Sequence, residues 1–136
     1  MKAWHMVLLI GALVAAVTPS ASAQAAASNK NVPKYDVATE VTLKGPILEV
    51  SNRDCPVSGG MGFHLTIKQP DGQDIEVHVA LTHFMKEMEL ALNKGDVVEV
   101  TGSKVKFEGT ETVFAREIVI GNDTYTFREK TGKPVW

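Results

Sequence analysis

Cysteine is almost missing from this chain: Cys55 is the only one in 136 residues. A single thiol excludes an internal disulfide and every paired-cysteine motif of the CxxC kind. HExxH is missing too, and no acid–base pair or nucleophile constellation stands out, so nothing points to an enzyme. Excess positive charge is also lacking. Fourteen Lys and Arg stand against sixteen Asp and Glu, a formal net charge of −2, whereas a nonspecific nucleic-acid binder is distinctly basic. There is no polybasic stretch for an anionic membrane surface. Aromatic residues are only 7% of the chain, which leaves few platforms on which single-stranded bases could stack. No internal repeat occurs.

One long apolar run exists, Met6 to Val17, and it is too short to span a bilayer comfortably. It follows Met1-Lys2 and precedes Ala21-Ser22-Ala23, the order of a secretory signal peptide with a small-x-small cleavage site. No cysteine ends the run to carry a lipid. The expected organisation is a signal peptide over 1–23, a flexible polar leader over 24–36, and a single domain over 37–136 in the periplasm or secreted.

The most informative stretch is Gly62 to Ala80. Gln69-Pro70-Asp71-Gly72 is a turn sequence: Pro70 presets φ, Asp71 suits the second position and Gly72 takes positive φ. A loop of Pro70, Asp71 and Gly72 pairs Gln69 with Gln73. Ile67 then opposes Ile75, Leu65 opposes Val77, and Phe63 opposes Val79, all on one face. The other face pairs Lys68 with Asp74, Thr66 with Glu76, and His64 with His78. A slip of one residue would set apolar against polar throughout. This register predicts two adjacent histidines on a solvent-facing sheet.

Around that hairpin the texture is mainly β. Thr39 to Val50 alternates, with Gly45-Pro46 as a bend in one long strand. Ser51 to Met61 is loop-like in composition. Leu81, Phe84, Met85, Met88 and Leu92 fall at helical spacing, with Thr82 suited to the cap and Gly95 to the end, predicting an amphipathic helix of about three turns. Asp96 to Phe107 and Thr112 to Ile120 are strands joined tightly at Glu108-Gly109-Thr110. Gly121-Asn122-Asp123 turns into a sixth strand, and Trp136 is expected to pack back on the barrel. One helix between strands three and four, with a glycine bending the first strand, is the order of a five-stranded OB-fold Greek-key barrel, here with a C-terminal hairpin extension.

VTLKGPILEV, KGDVVEVTGS and AREIVI, with the closing GKPVW, resemble the exported bacterial OB-fold domain proteins, small periplasmic domains mostly of unassigned function. The resemblance covers about Val37 to Trp136 and implies fold and compartment more than activity. In element order the chain is also similar to the OB-fold haem chaperones of cytochrome c maturation. Their haem-attaching histidine follows the barrel, and no histidine follows His83 here.

OB-folds bind on the outer face of strands two and three. There the sequence sets His64 and His78 beside the loop holding Cys55 and Met61, with His83 a short way on and Lys68 towards the turn. Opposed residues have Cβ atoms about 5 Å apart, within reach of one ion. Cys55 with both histidines suits zinc; adding the Met61 thioether suits copper. Cys55 can equally be a buried thiol, an intermolecular disulfide partner, or a thiolate with His64 or His78 as base. The expected function is a non-enzymatic binding or accessory module of the cell envelope, taking a small ligand, metal ion or partner protein on this face. The alternative is an oligonucleotide-binding module using Lys68, Lys104, Lys106 and Phe107.

Overall fold

The computed structural model describes residues 31–136; the expected signal peptide and the leader up to residue 30 lie outside the described residues. A 3-10 turn over Val37–Thr39 leads into strands β1 (Glu40–Cys55), β2 (Gly60–Lys68) and β3 (Asp74–Leu81). Helix α1 (Thr82–Glu87) follows, then β4 (Val97–Phe107), β5 (Thr110–Ile120) and β6 (Asp123–Thr126). Antiparallel β1 pairs with both β2 and β4, β2 with β3, and β4 with β5, and a parallel pairing of β3 with β5 closes the ring. That circuit is the OB-fold barrel, and β6 adds a sixth strand on β5 as the C-terminal hairpin.

Strand β1 reaches two neighbours because it is sixteen residues long and bends midway. At Gly45 an added Cβ would fall 1.9 Å from the Lys68 carbonyl oxygen, so only glycine lets the β1 backbone pass so close to the end of β2. The pairing with β2 shifts register just after Ile47. Ser51 to Cys55, loop-like in composition, continues the strand and pairs with Gly60 to His64; only Pro56 to Gly59 remains as the turn. The β4–β5 hairpin closes on Glu108 and Gly109, both at positive φ, which matches the twist of a two-residue loop.

Inward-facing residues form the core: Ile47, Leu65, Ile67, Ile75, Val77, Val79, Val98, Val100, Val113 and Ile118 are all buried. The hairpin register is the expected one from Lys68–Asp74 to His64–His78, but Phe63 opposes Ala80, because a bulge places Val79 as an extra residue on β3. Val79 still points inward.

The helix is shorter than its apolar spacing predicts. Six residues are helical, with Met85 buried against the core. Glu89 at φ 53° breaks the pattern, and Leu90 and Leu92 reach the core from irregular backbone. Thr82 does not cap it; its hydroxyl donates to Asn52 Oδ1 at 2.7 Å. Trp136 packs back as expected, with its indole N–H donating to the Ser58 carbonyl at 3.2 Å and its ring beside Phe84. Among the described residues no helix is long and apolar enough to cross a membrane.

Candidate metal centre

Strand alternation sends Ser51, Arg53 and Cys55 of β1, Gly62 and His64 of β2, and Glu76 and His78 of β3 to the face turned away from the barrel core. That face is not open to solvent here. His64 is 1% exposed, His78 4% and Cys55 4%, which overturns the expectation of two solvent-facing histidines. The covering groups come from elsewhere in the chain. Phe107 and Phe114 stand edge-on to the His78 ring at centroid distances of 5.7 and 5.3 Å, and Ser58 of the β1–β2 turn, itself buried, closes the Cys55 side. Outside the barrel there is thus a second, small, polar-lined core.

Within it the rings of His64 and His78 lie 4.3 Å apart. One carboxylate oxygen organises both. Glu76 Oε1 is 2.8 Å from His64 Nδ1 and 3.1 Å from His78 Nε2, and Arg53 pairs with the same oxygen from the solvent side. Burial opposes the Glu76 charge, but the His64 hydrogen bond and the adjacent His78 and Arg53 hold its carboxyl below the ordinary range. The Glu76 acceptor places the His64 proton on Nδ1 and leaves Nε2 with a free lone pair, while His78 sets Nε2 beside the same carboxylate and Nδ1 towards Cys55.

His64 Nε2 and His78 Nδ1 both turn towards Cys55. His78 Nδ1 is 3.3 Å from Cys55 Sγ. His64 Nε2 is buried and has no hydrogen-bond partner among the described residues, which is costly unless something accepts its lone pair. A Cβ built at Gly62 would stand 2.8 Å from that nitrogen and 2.9 Å from Cys55 Cβ. The missing side chain of Gly62 is what keeps this space clear. Ligand atoms of Cys55, His64 and His78 all lie within 4.8 Å of one another. Burial works against ionisation of the Cys55 thiol, yet the adjacent His64 and His78 imidazoles and the Ser58 backbone N–H outweigh it and lower the pKa to about 5.

The other two expected ligand-binding residues stand apart from this cluster. Met61 shares the parity of Phe63 rather than His64 and is 48% exposed, so strand alternation aims its sulfur at the opposite face. Lys68 lies four residues along β2, roughly 13 Å away at strand rise. There it pairs with Asp74 at 2.5 Å and donates to the Gly72 carbonyl at 3.1 Å. His83 is exposed and pairs with Glu87. Of the alternative nucleic-acid face, Lys104 pairs with Glu111 and Phe107 packs on His78 and Phe114. Two residues that matter here were not singled out from the sequence, Glu76 and Gly62. Their signal was parity: each precedes a histidine by two residues and so shares its face.

Residues 39–125 match the MamS/MamX magnetosome protein family. No curated protein matches the chain. Among solved structures, apo TiaS (tRNAIle2 agmatidine synthetase) aligns with 25% identity over 68% of this chain at a TM-score of 0.45, and this chain covers 20% of that one. The N-terminal domain of PriB protein from Thermoanaerobacter tencongensis, a dimer, aligns with 20% identity over 63% of this chain and 99% of that domain, at a TM-score of 0.46.

Proposed function

The chain belongs to the MamS/MamX magnetosome protein family, and within it we propose an exported, non-enzymatic accessory module that holds one zinc or copper ion on Cys55, His64 and His78. The observation behind this reading is the orphaned, buried His64 Nε2 facing a thiol and a second imidazole across the space that Gly62 leaves clear. A thiolate with two imidazoles is a borderline-soft donor set, suited to zinc and copper and poorly matched to magnesium or calcium. Glu76 supplies the outer carboxylate that metal-bound histidines commonly have, orienting both rings at once. Three protein ligands leave a fourth position of a tetrahedral ion open. The ion takes the Cys55 thiolate and the unprotonated imidazole nitrogens, so binding weakens at low pH.

Sulfur, imidazole and carboxylate also stand in the order of a thiol nucleophile with its base and orienting group. Burial favours the ion over that reading. With Cys55 at 4% exposure, a substrate carbonyl has no approach to the sulfur, whereas an ion needs only the space between three side chains. The N-terminal apolar run and the small-residue site after it support export to the envelope.

Metal analysis of protein purified without a histidine tag tests the proposal. The expected result is one zinc or copper ion per chain, with weaker loading below about pH 5 and loss of the ion in Cys55→Ser. Stoichiometry well below one, with no affinity tighter than micromolar for either metal, overturns it.

A further inference from the structure

Beside Phe114, which also packs on His78, the chain buries a second polar group that the proposed metal centre does not use. Arg128 is 5% exposed, and no carboxylate pairs with it among the described residues. Its Nη1 donates to the Gly132 carbonyl at 2.9 Å, while Nε is buried and has no acceptor. The guanidinium carbon lies 5.0 Å from the Trp136 ring centroid, 5.6 Å from Tyr35 and 5.9 Å from Phe114. Three rings at that range hold a cation by its attraction to their faces. They do not satisfy its N–H donors. A buried charge normally has both a counter-charge and full hydrogen bonding, and Arg128 has neither.

Arg128 lines a cleft of about 380 Å³, within the size range of small-molecule sites. Val32, Pro33, Val57 and Pro134 give it apolar walls, Lys34 and Lys133 line it with positive charge, and among the described residues no acidic one lines it. The tyrosine wall is fixed: the Tyr35 hydroxyl donates to Glu40, which Arg116 holds at 2.5 Å. Gly132, at φ 92°, passes so close that a Cβ would fall 2.3 Å from the Tyr35 ring. The site is therefore built around the guanidinium rather than left over beside it. Burial pulls the Arg128 pKa down from its ordinary value, a cost that an anion in the cleft would remove.

We propose that this cleft binds a small organic carboxylate, its oxygens on the guanidinium of Arg128 and its apolar body against Val32, Pro33, Val57 and Pro134. A carboxylate is the counter-charge and acceptor that a planar guanidinium pairs with best. The four apolar walls favour an acid carrying a hydrocarbon or aryl group over an inorganic oxyanion. The site does not depend on whether Cys55, His64 and His78 hold a metal.

Titration of the 15N-labelled full-length protein with benzoate, acetate and inorganic phosphate, followed by NMR, tests this. Benzoate is expected to shift the Arg128 Nε–Hε resonance and the Gly132 amide saturably, with Kd below about 1 mM, and acetate to bind at least about tenfold more weakly for want of an apolar body. Arg128→Lys keeps the charge but loses the planar fork, and should abolish the saturable shift. Lys133→Ala, on an exposed side chain, should weaken benzoate severalfold with the fold intact, which decides the matter should Arg128→Lys not fold. Phosphate saturating the site while benzoate leaves it unmoved, or linear shifts with all three probes, overturns the proposal.

Discussion

The two ends of the β2–β3 hairpin share one strand pair, one face and one alternation, yet they are different environments. At the tip, Lys68 and Asp74 face each other in water, their side chains 42% and 53% exposed, and an exposed pair of this kind contributes about 0–1 kcal/mol. Two pairs further down, His64 and His78 occupy the same face and are sealed. The difference lies in what covers each end. At the tip the Lys68 and Asp74 side chains stay open to solvent. The base lies under the Ser58 turn, the end of β1, and the Phe107 and Phe114 rings of β4 and β5. Alternation sorts side chains into two faces, and the rest of the chain decides which face is wet. Sealing is also what turns two ordinary imidazoles into a reactive arrangement, because buried lone pairs need partners.

Substitutions at the two ends should separate accordingly. Cys55→Ser or His64→Ala should lower zinc or copper affinity more than about a hundredfold, since losing a ligand exceeds the ten- to hundredfold typical of an outer-sphere change; competition titration against a chelator of known affinity measures it. Gly62→Ala should cost about 1–3 kcal/mol of stability in chemical denaturation, as an added methyl in a packed site does, and should weaken metal binding, because its Cβ meets both His64 Nε2 and Cys55. Glu76→Gln keeps the shape but loses the carboxylate that holds the His64 tautomer and lies beside His78, and should reduce affinity roughly ten- to hundredfold. Lys68→Ala at the tip should leave metal affinity unchanged and move stability by no more than about 0.5 kcal/mol.

A pH series sharpens the same contrast in metal-free protein. The Cys55 thiol titrates near its ordinary 9.0 when unfolded and at about 5 when folded. Between those values the unfolded chain binds the extra proton, so stability rises with pH. The contribution is complete above about 9 and lost as pH falls through about 5. Denaturation midpoints measured across that window should therefore slope upwards, and Cys55→Ser should flatten the slope. A profile as steep in the serine variant as in the parent would assign it to other groups.

Much of this architecture was legible in the residues themselves. The Pro70-Asp71-Gly72 turn and the alternation on either side set the hairpin register from Lys68–Asp74 to His64–His78, and the helix position between the third and fourth strands marked the barrel. The bulge at Val79 was not legible, because an extra residue that still points inward leaves the apolar pattern unchanged. Ser51 to Cys55 reads as loop by composition, yet its backbone pairs with β2, and that pairing carries Cys55 to the histidines. The helix reads too long because Leu90 and Leu92 are buried from irregular backbone and mimic helical spacing. Burial of the histidines depends on Phe107 and Phe114, which lie some thirty residues or more beyond His78 and come alongside only when β5 pairs with β3. Arg128 gave no local sign of its burial, since Tyr35 and Phe114 reach it from elsewhere in the chain and Trp136 only by the tail folding back.

X-ray absorption at the zinc or copper edge of the reloaded, tag-free protein tests the central claim most directly. One sulfur and two imidazole nitrogens around the ion are expected, with the same shell in Lys68→Ala and no bound ion in Cys55→Ser. A shell of oxygen and nitrogen alone in the parent protein would contradict a centre built on Cys55, His64 and His78.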